Sequence, residues 1–369
     1  MNFEEGKSAY PVGKLHELEA NKEALPAIEV KNKVLWVNPD LDIPFKLKVG
    51  EPTNLGMFLT NEVQEGDKKI KNLETATHHN RSALLGRVIF GEKKREGKDR
   101  QLFRDIDIKG TGYVLYRSPE FSEPRPNVEA IRFMGQTSSF GILDVKDANH
   151  DMGIAETFHE YGVRVHRVVA IIELEEIIYE GKKISIAKAK AKELIDDSAQ
   201  PVLEVRAFGT HARLLDAHSD KNSLKNRELF IDDARLLIAQ ELGENPEEFD
   251  NFKYAKWLAK TIGKNVGLMH KNGFVHKYLP QGHNITLDGC LVDFDSVQHT
   301  GSRNSTESKN DYLQAGDALQ DLIRRMGGLD ISQQAEIFSE YDNSYSAYKS
   351  EPTDEGLLSK IEEASRKYR

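Results

Sequence analysis

Asn284 and Asp293 stand nine residues apart in a stretch that runs from Asn272-Gly273 through a polar loop and two short apolar runs to Asp293-Phe294-Asp295. An amide oxygen and a carboxylate are hard donors of the kind that Mg2+ takes alongside substrate phosphates. A loop that supplies an Asn, followed by an Asp-Phe turn that supplies a carboxylate to the same ion, is one way to assemble a phosphate-transfer site.

Cations for the phosphates stand upstream. Lys109 closes a strand-like run beside Gly110-Thr111-Gly112. Its ammonium can hold a phosphate as a point charge, and a surface lysine before a turn has the same signature. Arg206 and Arg213 lie seven residues apart across a strand end. Their planar donors suit a phosphate clamp or a pair of inter-lobe salt bridges. Gly86, beside Arg87 in an apolar run, lets a phosphate approach the backbone, although a bulge or turn is the commoner reason for one glycine. From Lys146 to Tyr161 the residues Met152, Ala155, Phe158 and Tyr161 recur at helical spacing, and Gly162 stops the pattern. On that helix Asp151, Glu156 and Glu160 are candidates to orient Lys109, and a charged solvent face accounts for each as well. His270, His276 and His283 fit no tight zinc-ligand spacing. Cys290, flanked by Gly289 and Leu291, reads as a small buried hydrophobe.

The elements that must position these groups change character along the chain. Residues 1–80 are weakly patterned apart from a strand-like run at 34–37, and are expected to wrap over other elements. Residues 84–90 and 103–108 read as a hairpin around a polar loop. Residues 163–174 and 201–208 read as further strands, 182–197 as a lysine-rich excursion, and 117–139 as an insertion with a strand-like run at 128–133. Helical patterns follow at 229–242, 252–271, 311–326, 332–348 and 354–368, with Asn272-Gly273 as the C-cap that delivers the chain into the metal-binding stretch. The expected fold class is therefore α+β: a β-rich lobe over 81–208, a helical lobe over 209–369, and a cleft between them as in a protein-kinase-like fold.

Composition narrows the function classes. The 369 residues exceed what one hydrophobic core usually sustains. A net charge of −9 lacks the basic footprint of a general nucleic-acid binder. No apolar run approaches the ~18 residues of a membrane helix, the acidic start at residues 1–6 is unlike a signal peptide, and a single cysteine excludes an internal disulfide. A cytoplasmic protein without nucleic-acid or membrane partners is expected.

In their order along residues 84–325 these motifs resemble the selenoprotein O (SelO) family, a kinase-like fold that transfers AMP rather than phosphate. Gly86-Arg87 with Val88 to Glu92 resembles the family's glycine-arginine strand, and Lys109-Gly110-Thr111-Gly112 its Leu-Lys-Gly-x-Gly motif. Tyr161-Gly162-Val163 with Arg167 is similar to the segment after the lobe's helix. Arg206, His211 and Arg213 keep the family spacing, as do Gly273-Phe274-Val275-His276 and the Asn284/Asp293 pair. The resemblance implies ATP as substrate, contacted through Gly86, Arg87, Lys109, Gly110, Gly141, Arg206 and Arg213. It implies Asp151 as the acid that orients Lys109, Asn284 and Asp293 as ligands of Mg2+ (or Mn2+), and a protein or small-molecule acceptor.

The departures lie at the chemistry. His283 stands where the family has an Asp immediately before the metal Asn, the loop from His276 to Asn284 is one residue longer, and Tyr278 occupies the usual kinase base position. Phe140-Gly141-Ile142 replaces the Asp-Gly-Arg segment, and Leu84 replaces the first glycine of the nucleotide loop. A histidine can act as general base near neutral pH, so His283 is the candidate catalytic base. A nucleotide-binding module without transferase activity and a small-molecule kinase are the alternatives.

Overall fold

The computed structural model describes residues 24–60, 66, 69–75, 82–92, 101–112, 141–218, 224–354 and 356–366. The expected insertion at 117–139, with its strand-like run, lies outside the described residues, as do positions 93–99 of the hairpin loop.

The first half is β-rich. It comprises β1 (Ala24–Glu29), β2 (Asn32–Val37), β3 (Met57–Leu59), β4 (Lys69–Thr75), β5 (Ser82–Phe90), β6 (Phe103–Lys109), β7 (Leu143–Asp144), α1 (Val145–Glu160) and β8 (Arg167–Leu174). A separate hairpin, β9 (Glu176–Tyr179) and β10 (Lys182–Ser185), leads through the short helix α2 (Ile186–Ala191) to β11 (Pro201–Phe208). The other strands join one nine-stranded sheet in the order β2-β8-β11-β6-β5-β4-β1-β3, with β7 paired to β11. Residues 24–75, expected to wrap over other elements, instead supply four strands of this sheet. Only β2 shows a strand-like pattern in sequence. β1 and β4 are poor in β-branched residues, so it is pairing with neighbours that makes them strands.

β11 is an interior strand of the sheet, between β8 and β6, and all eight of its residues are buried. Its alternating Glu204, Arg206 and Phe208 therefore bring charge into the interior, which is costly without partners. α1 begins where the Asp144 side chain accepts the Lys146 N–H and ends at Tyr161-Gly162. It serves both halves. Ala148 and Met152 pack with Val168, Ile171 and Val202 of β8 and β11, while Ile154, Ala155 and Phe158 enter the core of the helical lobe.

That lobe holds α3 (Leu214–His218), α4 (Leu224–Leu242), α5 (Asn251–Lys271), the strand pair β12 (Phe274–Val275) and β13 (Gln298–His299), and α6 (Thr306–Arg325), α7 (Ile331–Ser350) and α8 (Leu357–Arg366). The expected cap is present: α5 ends at Asn272, with Gly273 at φ +74°. Among the described residues no helix is long and apolar enough to cross a membrane. The result is two unlike lobes, an antiparallel sheet with one long helix and a helical bundle, as the sequence predicts.

Buried polar ties hold the lobes in register. Arg104 at the start of β6 donates to both oxygens of Asp233 on α4, at 3.3 and 2.5 Å. Glu241, the second-to-last residue of α4, accepts the Leu102 N–H at 2.8 Å and the Arg164 guanidinium at 2.5 and 2.9 Å. A leucine at position 241 would leave the Leu102 N–H unmatched and Arg164 with Asp288 as its remaining carboxylate. We expect Glu241→Leu to lose about 3 kcal/mol of unfolding free energy in urea titrations. A loss below about 0.5 kcal/mol would contradict this account of the lobe contact.

Candidate active site in the interlobe cleft

The strand-end lysine meets the turn at Asp293. Lys109 Nζ lies 2.7 Å from Asp293 Oδ1 and 3.3 Å from both oxygens of Asp295, although the lysine belongs to the sheet and the acids to the helical lobe. Only 2% of Lys109 is exposed. Gly110 follows at φ +90°, and a Cβ there would come within 2.6 Å of the Val202 carbonyl oxygen, so the turn that ends β6 requires glycine.

Asn284 and Asp293 come from the two ends of one tight hairpin. Val292 N–H donates to the Asn284 carbonyl at 3.1 Å, Thr286 N–H donates to the Cys290 carbonyl at 3.0 Å, and Ile285 bridges Leu291. The hairpin is pinned to the start of α3 by Arg213, whose guanidinium donates to the His283 carbonyl at 2.5 Å and to Asn284 Oδ1 at 2.6 Å. Burial pushes the Arg213 guanidinium down from its ordinary value, with Asp293 opposing the shift. Below the hairpin, Asp311 on α6 accepts the backbone N–H groups of His276 and Lys277, at 2.5 and 2.9 Å. The buried His276 ring lies 3.0 Å from the Val292 carbonyl oxygen. Burial drives the His276 imidazole below its ordinary value, which favours the neutral ring.

Asp293 has left-handed backbone angles, φ 64° and ψ 70°, which a residue with a Cβ adopts only at a cost. The next amide, Phe294 N–H, donates to Asp151 Oδ1 at 2.7 Å, and Asp151 Oδ2 lies 3.0 Å from His166 Nε2. His166 stacks against both Phe208 and Phe294, with ring centroids 5.6 and 5.3 Å apart, while Phe158 meets Phe294 edge-on. Asp151 thus differs from the expected lysine-orienting acid. Both its oxygens are engaged by His166 and the Phe294 amide, so it fixes the turn that presents Asp293 and acts on Lys109 through its field. Burial pushes the Asp151 carboxyl up, but the His166 charge and hydrogen bond, with Lys109 and Arg206 behind them, prevail and hold it well below the usual carboxylate range.

Arg206 is a neighbour of this cluster rather than an open clamp. It donates to both oxygens of Asp107, at 2.9 and 2.7 Å, across the β6/β11 pair, and its guanidinium lies over the Phe208 ring. Gly86 and Arg87 stand on β5 opposite Ile106 and Asp105; of these two only the backbone register is described. Leu84 of the same strand faces Asp107 in the register. Gly141 is buried in the turn before β7, at φ +69°. Tyr278 is half exposed, and its ring meets that of His283 edge-on at 5.4 Å. The structure therefore gathers Lys109, Asp293, Asn284 and Arg213, places Arg206 and Asp151 behind them, and sets His283 beside Tyr278 at the rim.

Sequence reasoning passed over four contributors. Asp295 was visible as a second acid after Asp293-Phe294. Asp107, His166 and Glu204 carry no motif signal, because strand register alone places them. Two carboxylates of the cluster, those of Asp293 and Asp295, face Lys109 at hydrogen-bond distance. Among the described residues no three His, Cys, Asp or Glu side chains group as a metal site. The expected pair needs none, since Mg2+ is commonly held by one or two protein oxygens plus phosphates.

No family model matches the chain, and no curated protein matches it at a significant level. Among solved structures it is similar to WaaP in complex with acyl carrier protein, at 14% identity over 77% of this chain and 89% of that one, with a TM-score of 0.27. It is also similar to the MAP kinase LmaMPK10 from Leishmania major, at 8% identity over 78% of each chain and a TM-score of 0.30. A rhoptry antigen kinase domain from Toxoplasma gondii is similar at 11% identity, covering 83% of this chain and 85% of that one, with a TM-score of 0.30. At these identities and TM-scores the likeness assigns no activity to this chain, and its two-lobed α+β architecture is described by its own strand order and helices.

The Asp151 anchor has a pH signature. An acid whose folded-state carboxyl stays ionised below the ordinary range contributes stability that is complete above about pH 4 and is lost as pH falls towards the folded value. The unfolding free-energy difference between wild type and Asp151→Asn should therefore shrink by roughly 1 kcal/mol or more between about pH 6 and pH 3 in urea titrations. Equal differences at both values would contradict the ionised Asp151.

Proposed function

We propose that this chain is an ATP- and Mg2+-dependent nucleotidyltransferase of SelO type, moving AMP to the hydroxyl of a protein or of a smaller acceptor. The observation that carries the reading is the 2.7 Å pair between Lys109 and Asp293, which brings the phosphate cation of one lobe to the metal acid of the other. The donor set fits the ion. Asn284 Oδ1 and the Asp293 carboxylate are oxygen donors, and Asn284 Oδ1 keeps a second lone pair beyond the one that accepts from Arg213.

Each residue then has a task. Lys109 holds nucleotide phosphates as a point charge, at a site where little water competes with it. Arg213 orients Asn284 and adds positive charge to the phosphate path, and Arg206 supports the same field from behind. Asn284 and Asp293 would hold the metal ion, which when bound would supply positive charge against that of the pyrophosphate leaving group. His283 receives the proton of the acceptor hydroxyl as its oxygen bonds to the α-phosphorus. Transfer of this kind depends chiefly on positioning and charge, so a histidine in place of a carboxylate base is compatible with it.

A second reading is favoured by the loop itself. Tyr278 and His283 occupy the positions where a catalytic carboxylate is usual, which suits a module that binds nucleotide or a partner without transferring a group. ATP labelled at the α-phosphorus separates the readings. Label should pass to an acceptor, and Asp293→Ala should lower the rate by ~100-fold or more. Transfer of label from the γ-phosphorus alone would make the protein a kinase, and tight Mg-ATP binding without any transfer would make it a binding module.

A further inference from the structure

Glu204 is the one acid of the cleft wall for which the charges above leave no partner. It is fully buried in the middle of β11, and neither carboxyl oxygen has a hydrogen-bond partner. Its neighbours are spoken for: Asp107 is closed by the two donors of Arg206, Asp151 by His166 and the Phe294 amide, and Asp293 faces Lys109. A buried polar group left in this way costs about 1–3 kcal/mol, and native structures rarely keep one without a reason.

The register supplies the reason. Glu204 is the residue directly opposite Lys109 in the antiparallel β11/β6 pair. Opposed residues share a face of the sheet and stand about 5 Å apart at Cβ, within reach for a lysine and a glutamate. Burial pushes the Glu204 carboxyl well up, with the charges of Asp151 and Asp295 adding to it and those of Lys109 and Arg206 opposing. The acid thus sits behind the lysine as an unused acceptor, while the lysine reaches forward to the metal-binding turn.

We propose that Glu204 is the positioning residue that takes up Lys109 when a metal-bound nucleotide engages Asp293. It would do from the neighbouring strand what the helix acid Asp151 cannot do, since both oxygens of Asp151 are committed to the turn. The inference rests on the nucleotide-binding reading of the cleft. It adds that the Lys109 ammonium exchanges one carboxylate for another: it releases Asp293, and Glu204 accepts its hydrogen bond and holds Nζ at the phosphates.

Calorimetric titration of ATP, with Mg2+ and with EDTA, tests this on wild type, Glu204→Leu and Glu204→Gln, each checked by its melting temperature. Glu204→Leu removes a buried acid that has no partner in the ligand-free protein, so its melting temperature should equal or exceed that of wild type. Its Kd for Mg-ATP should nonetheless rise by roughly tenfold or more, the scale of one charge-assisted hydrogen bond. Glu204→Gln keeps a carbonyl acceptor and should recover part of that loss. With EDTA, where Lys109 stays on Asp293, all three proteins should bind ATP alike. A Mg-ATP Kd equal to wild type in either substitution would overturn the inference and leave the function intact. Parallel losses of melting temperature and of affinity, with and without Mg2+, would also overturn it, because they describe a structural residue. Failure of wild type to bind Mg-ATP would overturn the proposed function and the inference together.

Discussion

A buried ammonium must be paired, and in this protein the pairing crosses between lobes. Lys109 ends a strand of the sheet with 2% of its surface exposed, and the carboxylates it meets at 2.7 and 3.3 Å, on Asp293 and Asp295, belong to the helical half. Leaving such a charge uncompensated would cost several kcal/mol, so the position of the turn relative to the sheet is set by this contact as much as by the apolar packing of α1. The same contact places a cation, two carboxylates and the Asn284 amide around one point.

Keeping that point in place requires further polar ties. Asp151 holds the left-handed turn at Asp293 through the Phe294 amide, and His166 is wedged between Phe208 and Phe294 as its partner. Asp311 ties down the entry to the loop, and Arg213 ties the loop's Asn284 to the start of α3. Each device acts on backbone or on another side chain, so Asn284 and the Asp293 turn are fixed from behind.

Much of this was legible in the sequence where local rules govern. The β11 boundaries, the helix between Val145 and Glu160 with its Gly162 stop, and the Asn272-Gly273 cap follow from β-branched runs, helical spacing and capping chemistry. The Asn284/Asp293 pair could be read from spacing because one hairpin carries both. What escaped depends on register. Glu204 opposite Lys109 and Arg206 opposite Asp107 are facts about how two strands distant in sequence align. A helix acid at the expected place, Asp151, was found with a different partner because His166, fifteen residues on, sits within reach only in the folded chain. Strands β1 and β4 were hidden for a related reason, since their composition does not favour strand and their neighbours impose it.

In the proposed function, Asp293 and Asn284 present oxygens to a metal ion that accompanies a nucleotide in this cleft. Water-proton relaxation with Mn2+ in place of Mg2+ tests it most directly, because a paramagnetic ion immobilised on the protein enhances relaxation. The account predicts that adding ATP to wild type and Mn2+ produces a strong enhancement that Asp293→Asn abolishes. An enhancement of the same size in Asp293→Asn would contradict it.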